Sequence, residues 1–144
     1  MTGVQHGVKP TEDGAGAIFT FAWATPPITA NGQRGHWSVQ ARRVREVREI
    51  STALARLART PARAPLRLQR AVVDFTWFPT VARRRDAHNL VPLLKPLIDG
   101  LVAGGVIPDD NDDVLDARMP RIVLQPAGPA RFELTIRPTE GDHQ

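Results

Sequence analysis

Between Arg83 and Asp113 the chain reads RRRDAHNLVPLLKPLIDGLVAGGVIPDDNDD: a basic triplet, an Asp-x-His-Asn turn, an apolar helix carrying one lysine, then four Asp within five positions. An apolar helix held between charged turns narrows the folds open to the chain, because its middle belongs in a core and its flanks do not. Carboxylates, an imidazole, a buried-looking lysine and a basic flank are also the parts a divalent-cation site needs to cut a polyanion. Oxygen and nitrogen donors hold Mg²⁺ or Mn²⁺, and the cation activates water and neutralises charge on a scissile phosphate. The residues point to a metal-dependent nuclease.

Composition sets the outer bounds. A chain of 144 residues with 42% hydrophobic content is expected to form one domain with a sizeable core. No cysteine is present, which excludes disulfides, zinc ribbons and thiol nucleophiles. No apolar run approaches a membrane span, and MTGVQHGVKPTEDGAG lacks a signal-peptide core, so a soluble, cytoplasmic protein without a membrane partner is expected. Net charge is only +4, but it is unevenly distributed. Positions 31 to 85 hold 13 Arg against Glu46, Glu49 and Asp74, whereas positions 86 to 116 hold seven Asp against Lys95. A basic surface collects phosphates regardless of sequence, and a knot of Asp beside it repels them unless it holds cations. The asymmetry favours a metal-loaded site over a simple binding patch.

Periodicity predicts a mixed α/β domain with two main helices. Residues 1–16 read as a disordered tail and 139–144 as a frayed C-terminus. AIFTFAWA (17–24) reads as a strand closed by Pro26-Pro27. A helix is expected from Ser38 to about Arg59, with Val44, Val47, Ile50, Leu54 and Leu57 on one face and Arg42, Arg45, Arg48, Arg56 and Arg59 on the other. Leu66 to Phe78 reads as a second strand. Leu90 to about Ala103 reads as a second helix stopped by Gly104-Gly105, and 114–125 with 130–137 as a hairpin through PAGP.

RRRDAHNLVPLLKPLIDGLVAGGVIPDD resembles the signature of the RusA family of Holliday junction resolvases, with a weaker likeness over TPPITANGQRGHW. The resemblance is dense over Arg83 to Asp110 and follows element order elsewhere, which makes 17–138 a single RusA-like domain. It implies a homodimeric endodeoxyribonuclease of phage or prophage type that uses one or two Mg²⁺ (or Mn²⁺) per subunit to resolve four-way DNA junctions by paired symmetric nicks. Carried over by position, Asp86 matches the first carboxylate, Lys95 the catalytic lysine and Asp110 the last carboxylate, with Asp109 beside it. His88 stands where the family has its second carboxylate, and the interval from there to Lys95 is three residues longer. Imidazole tolerates Mn²⁺ better than Mg²⁺, so the departure bears on metal preference.

Local chemistry suggests roles independently. Asp86 and His88, two apart in an extended segment, point to the same side. Asn89 is a plausible N-cap for the second helix, and Pro96 is expected to kink that helix or delay its start. Lys95 and Asp99 share a helix face, where Asp99 orients the ammonium and Lys95 stabilises the phosphorane or protonates the leaving oxygen. Arg34, Arg42, Arg45, Arg83, Arg84 and Arg85 are the candidate DNA contacts, with His36 beside Arg34 in the loop. A broader branched-DNA nuclease and a non-catalytic junction-binding protein remain the alternatives.

Overall fold

Alternating apolar and polar residues in AIFTF and RFELTIRP, and a nearly unbroken apolar run in AVVDFTWF, build the sheet of this protein. The computed structural model describes residues 5–29 and 37–139. In chain order its elements are β1 (Gly7–Pro10), β2 (Ala17–Phe21), α1 (Trp37–Leu57), β3 (Ala71–Phe78), α2 (Val91–Ala103), β4 (Leu115–Ala117), β5 (Arg121–Ile122) and β6 (Arg131–Pro138). A 3₁₀ turn, Ala87–Leu90, leads into α2. The architecture is mixed α/β: a six-stranded sheet ordered β1-β2-β6-β3-β4, with β5 continuing along the β4 edge of β3.

The sheet is covered on one face. Ala17, Phe19 and Phe21, then Phe132, Leu134 and Ile136, then Ala71, Val73, Phe75 and Trp77 are buried in one core with the helices, while Ile18, Thr20, Asp74, Thr76, Glu133 and Thr135 alternate onto a half-exposed face. β3 is central. β6 pairs it antiparallel on one side, and β4 and β5 pair it parallel on the other. This replaces the expected hairpin between 114–125 and 130–137. A hairpin would leave one edge of β3 open, whereas α2 supplies the crossover a parallel partner needs and both ladder edges of the most apolar strand are filled.

The N-terminal segment is also a correction. Instead of a disordered tail through residue 16, β1 pairs antiparallel with β2 from Gly7↔Thr20 to Pro10↔Ala17. Asp13 organises the turn between them, accepting from Thr11 Oγ1 at 2.6 Å and from Ala15 N–H at 2.9 Å. His6 Nδ1 accepts from Ala22 N–H at 3.0 Å and its ring meets Trp23 edge-on. Leu66–Arg70 lies outside β3, because Leu66 N–H bonds the Ala58 carbonyl and Leu68 N–H bonds the Val106 carbonyl instead of joining the ladder. At the C-terminal end, Thr139 N–H still bonds Arg70 O, and 140–144 lie outside the described residues.

Helix α1 buries Val47, Ser51, Leu54 and Ala55, a face rotated from the expected apolar stripe; Leu57 is 62% exposed. The partner helix sets that rotation. A Cβ on Gly100 would lie 2.4 Å from Ser51 Cβ, and one on Gly104 would lie 2.3 Å from Ala55 Cβ. Two small residues four apart on each helix thus let the backbones touch, and Ser51 Oγ donates to the Leu97 carbonyl at 2.6 Å. Pro96 neither interrupts nor delays α2: the helix begins at Val91 and includes it. The N–H that proline lacks would have faced the Pro92 carbonyl in the first turn, so a single ladder bond is forgone. Gly105, at φ +88°, closes α2 with a Val106 N–H to Leu101 carbonyl bond and turns the chain toward the Asp cluster.

Candidate active site

Two polar groups stand on the turns that bracket α2. At its start, Asp86 is the extended residue that caps the 3₁₀ turn: its Oδ1 accepts from His88 N–H at 2.9 Å and lies 3.1 Å from His88 Nδ1. Those bonds, the His88 N–H foremost, hold the Asp86 carboxyl below its ordinary range. The expected pairing is present, but capping produces it, since His88 already lies in the turn and not in an extended strand. Capping also falls to Asp86 and not to Asn89, whose N–H bonds the Asp86 carbonyl, because the chain turns helical at Ala87, ahead of α2.

The second group is built by α2 and the turn after it. Lys95 Nζ donates to Asp110 Oδ2 at 2.7 Å and stands 3.2 Å from Asp99 Oδ1. One ammonium therefore joins two carboxylates, one from its own helix and one from across the Gly105 turn. The bonds to Asp110 and then Asp99 raise the Lys95 pKa, and Lys95 in turn lowers that of Asp110. Lys95 is not buried as its apolar surroundings suggest; its side chain is 65% exposed, because α2 turns this edge to solvent. Asp109 is spent on its own turn, with Oδ1 taking Asp110 N–H and Oδ2 taking the Asn111 amide, which leaves Asp110 as the carboxylate aimed at Lys95. Asn111 Oδ1 likewise takes Asp113 N–H.

The donors suit a hard divalent cation chemically, yet they stand in two half-sites. Among the described residues, no three His, Asp or Glu converge as a metal-holding group. Four residues of 3₁₀ turn and four of α-helix lie between Asp86 and Lys95.

Of the candidate DNA contacts, Arg34 lies with His36 outside the described residues, and Arg42 and Arg45 are exposed on α1. Arg83 and Arg84 are exposed, whereas Arg85 lies 4.8 Å over the Trp77 ring and donates to the Val81 carbonyl at 2.8 Å, a packed position that gives it a structural task. Arg83, Arg85, Trp77 and Val81 line a cleft of about 230 Å³ at the end of β3. Sequence reading gave no role to Arg48, which shares a depression of about 180 Å³ with Asp99 and Asp110. It also missed Asp74, around which Arg118, Arg121 and Arg137 gather on the open sheet face. Alternation along β3 carries a signal for Asp74, since it is the charged residue in an apolar run; nothing local signals its three partners. No helix among the described residues is long and apolar enough to cross a membrane. The sequence matches no protein-family model and no curated protein.

Proposed function

We propose that this protein is a divalent-metal-dependent, structure-selective endodeoxyribonuclease of the RusA type, which resolves four-way DNA junctions as a homodimer through paired symmetric nicks. The Lys95 ammonium bound to both Asp99 and Asp110 carries this reading. A solvent-facing lysine locked between two carboxylates, next to an arginine-lined helix, adds little to a fold, and it suits a site that handles a negatively charged reacting group. Its ammonium, held by both carboxylates, is placed to stabilise charge building on the phosphoryl oxygens, with Asp99 aiming it. Asp86, His88 and Asp110 are the residues that would hold Mg²⁺ or Mn²⁺, which when bound supplies an activated water and neutralises phosphate charge. A two-fold dimer presents one such site to each of two symmetric strands.

The alternative is a junction-binding protein that does not cut. Cleavage of a labelled four-way junction and a labelled linear duplex, with Mg²⁺, with Mn²⁺ and with chelator, separates the readings. The nuclease reading expects metal-dependent nicking of the junction in preference to the duplex. It also expects Asp110→Asn to lose nicking at least a hundredfold while binding the junction as well as before. Tight junction binding by the unaltered protein with no nicking in either metal would establish the alternative.

A further inference from the structure

We propose that a nucleic-acid strand reaches the Lys95 cluster along a groove on α1 in which Arg45, Arg48 and Arg56 grip its phosphates, Arg48 holding the phosphodiester beside the one presented to Lys95. The assignment of that end of the groove rests on the nuclease reading. The groove has a volume of about 480 Å³ and is lined by Arg45, Arg48, Glu49, Thr52 and Arg56 of α1 and by Ala103 of α2. The depression holding Asp99 and Asp110 shares Arg48 and Ala103 with it, so the two adjoin where α1 meets the end of α2.

Position and charge identify the occupant. Arg45, Arg48, Thr52 and Arg56 follow at intervals of three, four and four, which makes them one ridge of about 16 Å, enough to follow several phosphates along one strand. Among the described residues, no guanidinium of this ridge is paired with a carboxylate, and Glu49 is the groove's one acidic residue. Thr52 turns its hydroxyl to the Arg48 carbonyl at 2.7 Å, which leaves the arginines as the donors. The other lining residues, Ala53 and Ala103, are too small to anchor an apolar side chain. A repeating anion fits; an apolar peptide does not.

Arg48 has a further consequence at the cluster. Two carboxylates around one ammonium leave a net negative charge that repels a phosphate, and Arg48 is the cation lining the same depression that offsets it.

Binding of the whole protein to a labelled four-way junction, followed by fluorescence anisotropy in chelator across a salt series, tests the groove without cleavage. Arg48→Ala is expected to weaken binding about fivefold to tenfold and to lower the slope of log affinity against log salt by about one; Arg48→Lys is expected to restore the slope. Arg121→Ala, which removes the same charge from the other side of the sheet, is expected to change neither. In metal-supported cleavage, Arg48→Ala is expected to raise KM more than it lowers kcat. Unaltered affinity and slope in Arg48→Ala, or equal losses in Arg121→Ala, would overturn the groove. So would polyglutamate bound as tightly as DNA with the same dependence on Arg48, which would give the surface to an acidic protein. A protein that binds through Arg48 but nicks nothing in either metal refutes the nuclease reading while leaving the groove in place.

Discussion

Arg45, Arg48 and Arg56 on α1 and Arg118, Arg121 and Arg137 on the open sheet face are equal in number and identical in chemistry, and the fold gives them opposite uses. The sheet trio converges on Asp74: Arg137 donates to Oδ2, and Arg118 and Arg121 lie 3.9 and 3.8 Å from Oδ1. Arg118 also reaches Asp116 at 3.8 Å. Asp74 is only 17% exposed, so these contacts satisfy a carboxylate that burial would otherwise penalise. The α1 trio meets no carboxylate among the described residues. Arginine count therefore says little about where a polyanion binds. What decides is whether the fold has already supplied each guanidinium with a partner.

The contrast breaks most severely at the helix crossing. Gly100→Val would drive a side chain into Ser51, where even a Cβ lies 2.4 Å from Ser51 Cβ, and should cost about 3 kcal/mol or more in chemical denaturation. It should also displace the α1 ridge relative to Lys95 while leaving the Asp74 cluster assembled, since that cluster belongs to the sheet. A destabilisation under about 1 kcal/mol would show that the helices part readily and that the ridge does not depend on their close approach.

Asp74→Ala should come next, with a loss of about 2 kcal/mol, because it leaves three guanidiniums facing one another with only Asp116 nearby. The paired variant Arg45→Ala with Arg56→Ala should stay within about 0.5 kcal/mol of the parent by the same measurement, since both side chains are exposed and meet no carboxylate among the described residues. Equal losses in the two proteins would erase the distinction between structural and available arginines.

The smallest effect is expected at His6, far from either trio. Burial lowers its pKa from the ordinary 6.5, so the folded protein prefers the neutral ring, whose Nδ1 accepts the Ala22 N–H. The unfolded chain takes up the proton first as pH falls below 6.5, and stability should decline from there until the folded pKa is passed. His6→Gln should flatten that decline between pH 7 and pH 5 in denaturant midpoints. An identical pH slope in both proteins would show that the clasp between β1 and β2 does not depend on the imidazole.

Much of the candidate site was legible because it is local. Asp86 and His88 are two apart, and Lys95 and Asp99 are four apart on a helix, spacings that put side chains in reach of each other whatever the rest of the chain does. The Lys95 bond to Asp110 was not legible, since it depends on how Gly105 returns the chain across the end of α2. The 3₁₀ turn over 87–90 was equally hidden, because those residues read as an extended approach to the helix and fold instead under the Asp86 cap.

The sequence by itself determined the class of fold, the two helices and three of the strands in outline, and the charged turns around α2, because periodicity and glycine stops act over a few residues. Only the tertiary structure decided that β6 lies between β2 and β3 instead of forming a hairpin with the 114–125 segment, and that residues 7–10 join the sheet. Both depend on which strand edge is left open, a property no single segment possesses. Tertiary structure likewise decided which arginines meet Asp74, since its partners stand as many as 63 residues away. A side chain's type is written in the sequence, but its neutralisation depends on distant segments meeting.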